Sequence, residues 1–313
     1  MSRDSFSKQF RWLVVLALLA VYVVWASTYL AIRVALEGFP PFLMAGLRFV
    51  VAGGVLYLVL RLRRVPAPRR PQWGSAAVVG GLLLLGGNGG VVMAEQWVAS
   101  GLTALGVATV ALWSAIFAGL WGQWPRRLEW VGLAVGFAGV MLLNLEGNLR
   151  ASPAGAVALL VATMSWALGS MWSRHLDLPA GLMAPAAEML AGGGLLLVAS
   201  VLVGENVPRA VSVRPLVAVS YLIVFGSWIG FSAYLYLLRR VRPAVATSYA
   251  YVNPVIAMAL GVALAGERVT LTEWAAMPVI LGGVALVVVA HGRAEEGVEH
   301  APAPEVDVPS GGA

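Results

Sequence analysis

The sequence predicts an all-α, polytopic membrane protein of ten transmembrane helices arranged as two inverted five-helix repeats. Three observations predict it: an apolar composition, ten apolar runs of membrane-spanning length, and a chain that resembles itself at an offset of about 140 residues. Of the 313 residues, 60% are hydrophobic and 12% charged, with a mean hydropathy of +0.84. A water-soluble domain with a charged surface does not have that balance.

The runs lie at 12–32, 41–60, 73–95, 101–121, 128–145, 153–173, 180–203, 215–237, 243–265 and 271–290. Each is long enough to cross a hydrocarbon core of ~30 Å. The segments between them hold proline, glycine and charge, as in PRR (Pro125 to Arg127) and GENVPR (Gly204 to Arg209). The first run carries Trp25, Ser27, Thr28 and Tyr29 and has no small-residue cleavage site, so it is expected to stay as helix 1 and not to be removed as a signal peptide. Arginine clusters alternate with poorly charged segments, and the positive-inside rule then places both termini on the cytoplasmic side. Residues 1–11 read as a cytoplasmic N-terminal segment, 12–145 as the first repeat, 153–290 as the second, and 291–313, rich in Pro, Gly and acid, as a disordered cytoplasmic tail.

The repeat is visible in three places. WASTYLAIR (Trp25 to Arg33) in helix 1 matches WALGSMWSR (Trp166 to Arg174) in helix 6. GGNGG (Gly86 to Gly90) in helix 3 matches GSWIG (Gly226 to Gly230) in helix 8, and LEWVGLAVGFAGV (Leu128 to Val140) in helix 5 parallels TEWAAMPVILGGV (Thr272 to Val284) in helix 10. A unit of five helices is odd, so the second copy starts on the opposite side of the membrane and the two are related by an axis in its plane.

Several functions are excluded. The net charge of +6 and pI near 10.1 come from short clusters and not from one basic face, so nucleic acid is not indicated. There is no cysteine, and the three histidines (His175, His291, His300) lie in loops or the tail, so a metal or haem cofactor has no evident ligands in the membrane. The same scarcity of embedded His, Cys or paired carboxylates argues against a membrane-embedded lipid-modifying enzyme. A channel would need a ring of charge or a filter of carbonyls.

WAST with its Arg33, the LRF that follows (Leu47 to Phe49), YLYLLRRVRPAVATSYAYVNPV (Tyr234 to Val255), Gly266-Glu267 and the closing GGV together resemble the EamA-type, ten-helix branch of the drug/metabolite transporter superfamily. The likeness is greatest to its amino-acid and metabolite exporters, aromatic ones included. The resemblance implies a 5+5 inverted bundle, both termini cytoplasmic, and a substrate cavity between the halves lined mainly by helices 3, 4, 8 and 9 with help from 1 and 6; the inverted repeat itself allows alternating access. The chain departs from the pattern where Ser114 stands at the place matching Pro254 and where no acid matches Glu267. Helix 1 also lacks the embedded glutamate of the four-helix multidrug members, which makes export of hydrophobic cations the runner-up reading.

The polar and aromatic residues inside the spans are the candidate site. Pro254 falls mid-membrane, where it removes a backbone donor and frees the Ala250 carbonyl, a break that a cavity or a neighbouring helix must satisfy. Tyr249 and Asn253 share a face, so Asn253 either faces substrate or bonds a backbone carbonyl across a helix contact. Asn88 lies among Gly87 and Gly89, which permit close helix contact or expose backbone to a ligand. Trp25 and Trp166, in matching positions, are candidate opposed walls, with Trp113, Trp228, Tyr29, Tyr234 and Gln96 completing the substrate-binding set. Glu188 and Glu95 are candidate proton-coupling acids, with a structural acid and a water-facing acid as the alternatives. Arg48 is expected to be scaffold, toward the opposite leaflet from Glu188 and not paired with it, and no arginine or lysine is expected in the cavity. The expected partners are a small-molecule substrate and the lipid bilayer, without nucleic acid, and a monomer is compatible with the chain.

Overall fold

A chain whose backbone must satisfy its own hydrogen bonds in lipid has only helices or closed barrels open to it. The computed structural model describes residues 3–94, 96, 100–143, 153–256 and 271–299. Those residues form ten helical segments and no strand: α1 (Arg3–Leu36), α2 (Pro41–Leu62), α3 (Arg70–Ala94), α4 (Ser100–Leu120), α5 (Arg127–Leu143), α6 (Pro153–Trp172), α7 (Met183–Val203), α8 (Val213–Arg240), α9 (243–256) and α10 (Leu271–Glu299). By length and composition α1, α2, α3, α7 and α8 can cross a membrane on their described residues alone. Exposed apolar rows such as Leu13, Leu16, Leu19 and Val23 on α1, or Val198, Val201 and Leu202 on α7, mark the surface that lipid covers.

The packing follows the repeat. α1 lies along α8 as α6 lies along α3, while α2 packs on α7 and α5 on α10, each against its own counterpart. Glycines make those contacts close, as small residues do between membrane helices. A Cβ on Gly53 would sit 2.8 Å from the Leu190 nitrogen on α7, and one on the matching Gly193 would sit 2.8 Å from the Val50 nitrogen on α2. In the α5–α10 contact, Gly132 faces the Gly283 carbonyl oxygen at 2.7 Å on the same measure.

Two acids tie helix ends together. Glu205, after α7, accepts from the Phe42 and Leu43 amides (2.9 and 2.7 Å) and so satisfies the first turn of α2. At the opposite face, Glu129 accepts from the Arg126 amide (2.7 Å) at the start of α5 and receives Arg242, at the start of α9, in a two-pronged ion pair (2.6 and 2.9 Å). That pair joins the first repeat to the second.

Three features differ from the sequence reading. α3 and α8 each widen into a π-helix, at Gly81–Gly89 and Leu222–Phe231, in matching places. The interruption of α9 comes at Thr247 and Ser248, not at Pro254, which lies within the helical stretch 249–256. The freed backbone turns tightly there, and the Thr247 and Ser248 hydroxyls donate to the Pro243 and Val245 carbonyls (2.9 and 2.7 Å). Finally, α10 continues through 291–299, a stretch whose Ala, Arg and Glu residues favour helix, so the segment expected to be disordered begins helical. Residues 300–313 and Glu267 lie outside the described residues.

Candidate functional site

Trp25, Thr28, Tyr29 and Ile32 recur at the i, i+3, i+4, i+7 spacing that puts side chains on one face of α1. They form one wall of a cavity between the repeats. Arg48 and Phe49 come from α2, Gly87, Asn88 and Val91 from α3, Val107 and Val110 from α4, Thr163 and Trp166 from α6, Gly226 and Phe231 from α8, and Tyr249 and Asn253 from α9. The cavity holds about 90 Å³.

Its floor is aromatic and comes from both repeats. The Trp25 and Trp166 rings meet edge to face at 5.5 Å, Trp25 meets Tyr249 at 4.8 Å and 83°, and Tyr234 closes the cluster within 5.5 Å of all three. The π-segments make room for these rings. A Cβ on Gly87 would fall 2.7 Å from the Trp166 ring, and Trp25 lies over Gly230 while its indole N–H donates to the Gly226 carbonyl (3.3 Å). The Trp166 indole donates to the Tyr234 hydroxyl (3.1 Å), which also shares a 2.6 Å bond with Ser170. Below the floor, the Tyr22 and Ser248 hydroxyls meet at 2.6 Å, joining α1 to the turn in α9.

The polar groups in the wall are few. The Asn253 amide N–H donates to the Tyr22 and Tyr249 carbonyls (3.1 and 3.2 Å), so this residue both lines the cavity and bonds backbone across a helix contact. The Asn88 Oδ1 is buried without a partner. Arg48 is 4% exposed; its Nε donates to Ser227 Oγ (2.9 Å), its guanidinium lies 4.5 Å from the Phe49 ring centre, and its Nη1 is buried without a partner. The expectation that no basic residue would reach the cavity is therefore corrected. Helix 2 leans across at α8, whose π-segment presents Ser227 to the guanidinium.

Of the sequence-predicted residues, Trp25, Tyr29, Gly87, Asn88, Trp166, Tyr249 and Asn253 line the cavity, and Tyr234 supports its floor. Trp228 turns away and donates to the Ala52 carbonyl (2.8 Å) on α2. Trp113 stacks on Phe117 along α4 (6.2 Å), Gln96 is exposed past the end of α3, and Gly89 backs onto Leu196 and Phe42. Pro254 does not line the cavity. Glu95 lies outside the described residues. Glu188 is buried on α7 with neither carboxylate oxygen bonded, away from this cavity and not paired with Arg48. Thr28, Ile32 and Thr163 were not singled out from sequence, although their spacing from Trp25, Tyr29 and Trp166 places them on the same faces.

A second hollow, of about 350 Å³, lies beyond the floor among Gln123, Ser173, Arg174, His175, Leu176, Leu178 and Arg239. His175 stacks on Trp121 at 4.9 Å, and Arg174 donates to the Val241 carbonyl (3.3 Å). Burial, then the neighbouring Arg242, lowers the Arg174 pKa. Along α6 and into the turn that ends it the order is Thr163 in the cavity, Trp166 and Ser170 in the floor, and Ser173 in this hollow, a distance of ~15 Å at 1.5 Å per residue. Among the described residues, no group of three or more His, Cys, Asp or Glu is placed to hold a metal ion.

Comparison with known proteins adds four findings. The sequence matches the EamA-like transporter family twice, over residues 12–145 and 153–289. It is 49% identical over 274 residues to the uncharacterized inner membrane transporter YedA of Escherichia coli K12, covering 87% of this chain and 89% of that one. It is 25% identical over 283 residues to a probable amino-acid metabolite efflux pump of Salmonella typhimurium, covering 86% and 92%. A solved structure described only as the crystal structure of a protein superposes with a TM-score of 0.75 at 22% identity, covering 94% of this chain and all of the other.

Proposed function

The chain belongs to the EamA-like transporter family, and from that premise we propose that it exports amino acids, aromatic ones favoured, or related small metabolites across the bacterial inner membrane. It is a transporter and not an enzyme. The observation that carries the substrate reading is the cavity between the repeats, about 90 Å³ in volume and floored by Trp25 and Trp166 from matching helices. Rings receive an apolar side chain, and the few polar wall groups suit a compact polar head. The names of the two relatives, an inner membrane transporter and an amino-acid metabolite efflux pump, support the location and the substrate class.

Alternating access follows from the repeat. The wall facing substrate on one side of the floor has a counterpart on the other, and exchanging the conformations of the two copies closes one and opens its mate. With both termini cytoplasmic, the cavity belongs to the outer half of the membrane, and the Glu129–Arg242 pair with the Tyr22–Ser248 contact closes the inner half. Glu188 serves as the proton-coupling acid in this scheme, because a carboxyl with no bonded partner inside a span is costly unless it works. A monomer suffices, since both halves of the cavity come from one chain.

Efflux of quaternary cations is the second reading, and the rings favour it through cation–π contact. Arg48 in the wall opposes it, since like charge repels a bound cation. The test is uptake of radiolabelled phenylalanine, tryptophan and threonine, and of a quaternary ammonium dye, into proteoliposomes with and without a pH gradient. Saturable amino-acid flux supports the proposal; dye flux without amino-acid flux overturns it.

A further inference from the structure

A guanidinium inside a membrane span is costly and is ordinarily met by a carboxylate or by several acceptors. Arg48 is met by neither. Among the described residues it makes no ion pair, its Nε has one hydroxyl partner in Ser227, and its Nη1 is buried and unbonded in a residue that lines the cavity. In the same wall Asn88 Oδ1, an acceptor, is also buried and unbonded. Gly226 leaves the guanidinium its place, because a Cβ there would fall 2.8 Å from Arg48 Nη2. Two residues of the cavity wall thus carry a vacant buried group, one a cationic donor and one a neutral acceptor, above an aromatic floor.

We propose that Arg48 and Asn88 form the head-group subsite of the cavity, Arg48 receiving a carboxylate and Asn88 Oδ1 accepting from an adjacent ammonium, so that the site selects organic carboxylates over the amides and amines of the same skeleton. The proposal rests on reading this cavity as the transport site. A carboxylate supplies the acceptor that Nη1 lacks, in the charge-assisted form that an arginine fork favours. An amide of the same shape supplies a weaker acceptor, and a cationic amine meets the guanidinium with like charge. Ser227 holds Nε, which fixes the fork toward the wall.

The test compares equilibrium binding of phenylalanine, phenylalaninamide, phenylacetate, phenylacetamide and phenethylamine to the purified full chain in nanodiscs. In the wild type each acid should bind about tenfold or more tightly than its amide, and phenethylamine more weakly than either acid. Arg48→Gln should bring the acid-to-amide ratio close to one. Gly226→Ala keeps the charge but displaces the guanidinium, and should lower the same ratio. The ligand series on the wild type stands by itself if Arg48→Gln does not fold. Equal binding of acids and amides, selectivity that survives in a folded Arg48→Gln protein, or no binding of either acid would overturn the proposal. Binding of phenylacetate but not of phenylalanine would refute the amino-acid reading while leaving the carboxylate subsite standing.

Discussion

Replacing Glu129 by glutamine tests whether the contact between the two repeats is a latch. The Glu129 side chain is fully buried and that of Arg242 is 28% exposed, and the two are joined by contacts of 2.6 and 2.9 Å. Glutamine keeps the size of the side chain and can still accept from the Arg126 amide, so Glu129→Gln removes charge and leaves packing and the helix cap in place. Hydrogen bonds to charged groups contribute about 1.5–3 kcal/mol. Partial exposure of the arginine puts this pair at about 2 kcal/mol, or about a thirtyfold change in the ratio of closed to open conformers if the pair exists in only one of them. The chain has no cysteine, so a single Thr247→Cys, at a position buried in the turn of α9, reports opening through its rate of labelling by a membrane-impermeant maleimide. Glu129→Gln should raise that rate by about an order of magnitude or more. A fall in melting temperature with labelling changed less than about twofold would show that the pair is a static part of the fold.

Glu188→Gln should leave binding of phenylalanine unchanged and abolish the response of flux to a pH gradient, measured in proteoliposomes at fixed substrate. Tyr234→Phe deprives the Trp166 indole of its acceptor and Ser170 of one partner, and should cost about 1–3 kcal/mol, read as a lower melting temperature in detergent. Gly193→Val drives a side chain into the α2 backbone and should reduce the yield of folded protein sharply, as measured by monodisperse recovery on size exclusion. Trp228→Phe loses the bond to Ala52 yet should leave substrate affinity within about twofold, because the ring lies outside the cavity.

Helix number and the repeat were legible because lipid imposes length and apolarity on each span, and because Trp25 and Trp166, or Gly86 and Gly226, kept their places in the two copies. The matching tryptophans were legible for the same reason, but as opposed walls, whereas their rings meet at 5.5 Å and close a floor. The direction in which a side chain turns was harder to read. Trp228 matches Asn88 at the repeat offset, yet it packs on α2 while Asn88 faces the cavity. A π-helix of nine or ten residues rotates everything after it, and apolar helices with small moments do not announce which face is inward. Arg48 was misplaced for a related reason: depth within a span can be counted from sequence, whereas the partner, Ser227, lies on a helix 179 residues away. Pro254 misled as to place: the break of α9 falls before it, at Thr247 and Ser248, and Pro254 itself lies in helix.

The most direct test of substrate passage through this cavity is protection of one engineered thiol. Val91 lines the wall without a polar role, so Val91→Cys in the natural cysteine-free background should label with a small maleimide and be shielded by phenylalanine over the same concentration range that saturates its flux. Unchanged labelling in the presence of a substrate that the same protein transports would contradict the assignment of this cavity as the transport site.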